Sequence, residues 1–92
     1  MAITVVNGTN AENLEFIING MTDGSGTPMW SGNLAPMNQP HSTIVMDVSG
    51  FETYQVVFFP VGWTGENQFA GATSPQVTDS VIVAFNIDVF AN

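Results

Sequence analysis

"SVIVAFNIDVF", residues 80–90, places apolar side chains at Val81, Val83, Phe85, Ile87 and Val89 and sets Ser80, Asn86 and Asp88 against them. A repeat of two is that of an extended chain, whose side chains alternate between opposite faces, so the stretch predicts a long strand with one buried face. The same period recurs upstream. Ile44, Met46 and Val48 alternate with Thr43 and Asp47, and "FETYQVVFF" (51–59) puts Tyr54, Val56 and Phe58 on one face and Phe51, Val57 and Phe59 on the other. Ser49 and Gly50 between these two runs predict a hairpin, and the doubly apolar second strand predicts a central position or a subunit contact.

Near the N-terminus Ile3 and Val5 alternate with Thr4, "NGTN" (7–10) supplies turn chemistry, and Leu14, Phe16 and Ile18 share a face opposite Glu15 and Asn19. "GMTDGSGTPM" (20–29) reads as a loop, because glycines, Asp23, Ser25 and Pro28 cluster there, and "WSGNLAPMNQP" (30–40) reads as irregular. A further short strand is expected around Gln68 to Ala70. Helical spacing persists nowhere. The expectation is one all-β domain over residues 1–92, a small antiparallel β-sandwich of five to seven short strands.

Composition narrows the function. The 92 residues hold eight acidic side chains, no Lys or Arg, one His and no Cys. Nucleic-acid binding rests on cations that neutralise phosphates, so it is excluded, and anionic membranes would repel a chain of net charge −8. With 45% hydrophobic and 9% charged residues the chain should fold. It has no apolar run long enough for a transmembrane segment and no export signal at its start, which predicts a cytoplasmic location and an unused sequon at Asn7. A core this small, with no disulfide, points to stability gained by pairing, hence a homodimer.

Chemistry is equally restricted. His41 is the one ordinary base, Ser42 beside it points to the opposite face of a strand, and thiol or Schiff-base chemistry has no residue to use. No enzyme activity is expected. "DGSG" (23–26) carries one carboxylate where a calcium loop needs several, and zinc would need more than one His, so neither metal nor cofactor is expected, calcium held by carboxylates from separate loops being the alternative. Aromatics and amides remain. A neutral sugar ring offers an apolar C–H face to an aromatic plate and hydroxyls to amides, and it needs no cation. Trp63 with Glu66, Asn67 and Gln68 forms one candidate carbohydrate site, and Trp30 with Asn38 and His41, beside Ser31 and Asn33, forms a second. Both indoles could instead serve the core.

"VVNGTNAENLEF" (5–16) and "FFPVGWTGENQF" (58–69) resemble stretches of the small galactose-binding lectins of mushroom fruiting bodies, of the Lyophyllum decastes type. The resemblance implies a β-sandwich, a dimer and recognition of α-galactosyl glycans on glycoproteins or glycolipids; it assigns no site residue. The alternatives are a structural or self-assembling module, whose aromatics would be interface residues, and a small membrane-active toxin working on neutral lipid.

Overall fold

The computed structural model describes residues 1–60, 73–74 and 76–84. Among these residues there are six strands and no helix: β1 (Ala2–Asn7), β2 (Leu14–Thr22), β3 (Ser25–Leu34), β4 (Thr43–Asp47), β5 (Thr53–Pro60) and β6 (Ser80–Ala84). They form two three-stranded sheets, ordered β4-β1-β6 and β3-β2-β5. Every pairing is antiparallel except β1 with β6, which is parallel. The fold is the small all-β sandwich that the alternation predicts.

The core lies where the two inner faces meet. Ile3 and Val5 from β1, Ala84 from β6 and Val48 just beyond β4 face Leu14, Phe16, Ile18, Leu34, Tyr54, Val56 and Phe58 from the second sheet. Each strand contributes alternate residues, as a pleated strand between core and solvent must. The free edge of β5 is bridged by the following chain: Val77 exchanges both backbone hydrogen bonds with Tyr54, each 2.8 Å, and Ser74 N–H donates to the Val56 carbonyl at 2.8 Å.

Three expectations change. First, residues 25–34 are no loop but the longest of the described strands, joined to β2 in a hairpin with Asp23 and Gly24 as its two-residue turn. Both have positive φ, 50° and 81°, which is what a type I′ turn requires and what an Asp-Gly pair readily adopts. Pro28 is tolerated because β3 lies at a sheet edge, beside a bulge where Ile18 pairs Trp30 but Asn19 pairs Pro28.

Second, Ser49 and Gly50 do not close a hairpin. They carry the chain from β4 in one sheet to β5 in the other, with Gly50 at φ 96°. The apolar runs on either side therefore face each other across the core rather than lying side by side.

Third, the described part of residues 80–90 ends at Ala84, and its faces are inverted. Val81 is 63% exposed while Ala84 is buried and Ile82 packs on the core. The short strand around Gln68 to Ala70 lies outside the described residues.

One close approach fixes the end of the second sheet. Gly20 lies under the Phe51 ring so tightly that a Cβ there would overlap it. Gly20→Ala should therefore cost about 1–3 kcal/mol, and the Gly20→Ala/Phe51→Ala double variant should lose less than the sum of its parts in urea unfolding. Strict additivity would show that Phe51 moves aside freely.

Asn7 ends β1 as a fully buried amide. Its Nδ2 donates to the carbonyls of Ala11 (3.1 Å) and Ala35 (2.9 Å), and its Oδ1 accepts from Thr9 N–H (2.9 Å) and Thr9 Oγ1 (2.6 Å). A glycan on this sequon would need Nδ2, both of whose hydrogens are already engaged inside the protein.

Candidate functional site

Trp30 stands on β3 opposite Ile18, on the row that faces the core. Its indole packs at 5.8 Å from the Tyr54 ring and edge-on at 6.5 Å from Phe51, and those two rings meet at 6.2 Å. Such tilted and edge-to-face contacts are the preferred geometry of aromatic pairs. The Phe51 N–H donates to the Tyr54 hydroxyl at 3.4 Å, so the phenol is partnered within the cluster. Trp30 thus serves the core with part of its surface, yet it stays half-buried.

The rest of Trp30 lines an open groove of about 180 Å³ shared with Ile17, Pro28, Met29 and Ser31. The bulge in β3 lies at this groove. With Ile18 paired to Trp30 and Asn19 to Pro28, Met29 is the extra residue, and it stands 49% exposed. On the neighbouring outer face of this sheet the pairing aligns Ser31, Ile17 and Val57 in one row and Pro28, Asn19 and Gln55 in the next. The surroundings are therefore an apolar floor with a hydroxyl and two amides near it.

Asn38 and His41 lie elsewhere. They belong to the connection between β3 and β4, where Gln39 N–H donates to the Pro36 carbonyl (3.1 Å) and Ser42 N–H to the Gln39 carbonyl (3.2 Å). These are consecutive β-turns whose third residues, Asn38 and His41, have φ of 69° and 68°. Positive φ at that position is the type II signature, with Pro40 in its favoured second place. Both side chains are exposed. The connection is tied down by Met37 N–H to the Thr9 carbonyl (2.9 Å) and Ala35 N–H to the His41 carbonyl (3.1 Å).

Because His41 is bonded to residue 35, five extended positions separate it from Trp30, a span of about 16 Å along the strand. The second patch read from the sequence thus divides into a groove beside Trp30 and a polar turn carrying Asn38 and His41. Trp63, Glu66, Asn67 and Gln68 lie outside the described residues.

Reading residues 20–29 as loop hid Pro28 and Met29 as groove residues. The signal that finds them is Asp-Gly between two extended runs. Among the described residues no three His, Asp or Glu side chains gather as metal ligands would, and no helix is long and apolar enough to cross a membrane. Comparison with protein-family models, with curated proteins and with solved structures gives no match.

Proposed function

We propose that the protein is a small carbohydrate-binding module, a lectin without catalytic activity that takes neutral galactose-type glycans. The observation that carries this reading is the half-buried Trp30, held from behind by Tyr54 and Phe51 and lining an open groove beside Ser31. An aromatic ring fixed by its neighbours loses little freedom when a sugar face settles on it, which is the advantage of a preorganised site. The polar groups nearby are hydroxyls and amides, and in a chain with no Lys or Arg they suit a neutral ligand better than an anionic one. The stretch 58–69, with Trp63, Glu66, Asn67 and Gln68, is the second place to look.

A glycan array, followed by retention on galactose-bearing resin, tests the reading. Trp30→Ala and Trp63→Ala are compared with the parent protein, each checked for folding by its melting temperature. At least one folded variant should bind about tenfold or more weakly, equivalent to about 1.4 kcal/mol. Two folded variants that bind as the parent does would discard both indoles, and an array without any signal would discard the lectin.

A second reading, a self-assembling module, is favoured by a different observation: the outer face of the β4-β1-β6 sheet bears Val45 and Val81, each 63% exposed.

A further inference from the structure

The outer face of the β4-β1-β6 sheet is an aliphatic surface. Pairing aligns Val45, Thr4 and Val81 in its middle row and Thr43, Val6 and Val83 in the row beyond. Neither row carries a charge, although the chain as a whole has net charge −8. The acids of this sheet stand at its other end, where Asp47 pairs with Ala2 and the Asp79 carboxylate accepts the Ala2 N–H at 2.6 Å. The remaining described acids, Glu12, Glu15, Asp23 and Glu52, lie in β2 or in connections between strands. With no Lys or Arg, two copies cannot be joined by side-chain salt bridges except through His41, so self-association has to use a surface free of acids.

We propose that this face is the contact between two copies of the chain, packed sheet on sheet about a two-fold axis that lies between them and runs across the strands at Thr4. The charge placement selects this orientation. It lays the acidic Ala2 end of one copy over the neutral Val6 end of the other. Four residues of strand and the gap between packed sheets then hold the two acidic ends about 16 Å apart, twice the Debye length of ~8 Å at physiological salt. The opposite orientation would stack acid on acid at about 10 Å. The same axis brings Val45 over Val45 of the copy, and Val81 over Val81.

The flat area of the three short strands is roughly 250–300 Å², against ~800 Å² per partner in a standard interface, so the dimer is weak. The inference does not depend on the sugar reading. If both hold, pairing makes the sugar site bivalent.

Sedimentation equilibrium at about 0.5 mM chain tests the proposal, a concentration that populates even a dimer of sub-millimolar affinity. The mass should rise well above the 9.8 kDa of one chain toward twice that value. It should rise further as sodium chloride goes from about 20 to 300 mM, because screening weakens repulsion between acidic copies. Val45→Asp or Val81→Asp sets two carboxylates face to face and should return the mass to that of one chain. Both positions are mostly exposed, so the fold should survive, which the melting temperature checks.

The chain has no Cys, so Val45→Cys gives an independent measurement. Linked by a bis-maleimide reagent of about 10 Å reach, matched to the spacing of packed sheets and too long for a disulfide, it should give a covalent dimer far faster than Thr27→Cys, an exposed position on β3. A parent protein that stays monomeric at 0.5 mM, a dimer that persists in both aspartate variants, or equal cross-linking rates would each overturn the proposal. A monomer that floats with phosphatidylcholine vesicles would do so as well, and would assign the face to lipid.

Discussion

Asn7→Asp should destabilise the protein by at least about 3 kcal/mol at neutral pH, although it exchanges a single NH₂ for an oxygen. Both hydrogens of the Asn7 amide serve the carbonyls of Ala11 and Ala35, which would then face an acceptor. The site is fully buried, so the introduced carboxylate also loses its hydration. A domain of this size has a total stability of about 5–14 kcal/mol, and the loss is a large part of it. Burial raises the folded-state pKa of the introduced carboxyl above its unfolded value, so the folded state binds more protons there. The defect should therefore ease as pH falls from neutral through the raised pKa toward ~4, in the direction opposite to ordinary acid denaturation. Urea unfolding at pH 7 and pH 4.5 measures both effects. A variant as stable as the parent at pH 7 would show that residues 7–11 hold together without this amide.

Phe16→Ala should cost as much or more, about 3–5 kcal/mol. Phe16 is fully buried on β2, the middle strand of its sheet, and it pairs with Gly32 on one side and Phe58 on the other. Its ring reaches over Gly32, where an added Cβ would come within 3.0 Å of it. Removing the ring leaves a cavity that Gly32 has no side chain to fill, so little collapse can offset the loss. Denaturant midpoints of Phe16→Ala and Phe16→Leu separate the cases. If the alanine variant loses less than about 1 kcal/mol, the two sheets must close over the gap.

The faces of four strands were legible in the alternation. Ile3 and Val5, then Leu14, Phe16 and Ile18, then Ile44, Met46 and Val48, and finally Tyr54, Val56 and Phe58 all point to the core as the pattern predicts. β3 was not legible, because Gly26, Pro28 and Gly32 are poor strand residues by composition. An edge position and a bulge accommodate them, and neither is visible without the partner strand. β6 misled for the opposite reason. Val81, Ile82, Val83 and Ala84 are apolar in succession, so local periodicity cannot select a face, and parallel pairing with β1 decides it.

Of the two apolar faces of residues 51–59 that suggested a partner subunit, Tyr54, Val56 and Phe58 are buried and Phe51 packs on the core of the same chain, while Val57 and Phe59 are half-buried. The exposed valines lie in the other sheet. Trp30 as a candidate was legible, but its distance from Asn38 and His41 depends on the strand between them, which had been read as irregular.

The buried end of β1 also sets the chemical lifetime of the molecule. Asn followed by Gly is the pair in which the next backbone nitrogen most readily attacks the side-chain amide, expelling ammonia and leaving aspartate or isoaspartate. Here that nitrogen, on Gly8, donates to the Ala84 carbonyl at 2.9 Å, and the Asn7 amide it would attack is held by four hydrogen bonds. The folded chain is therefore shielded at this step, while an unfolded chain is not, and the product carries a change that the fold rejects. Ageing of the protein should follow the time its molecules spend unfolded. Each excursion that ends in deamidation removes a molecule from the folding equilibrium for good.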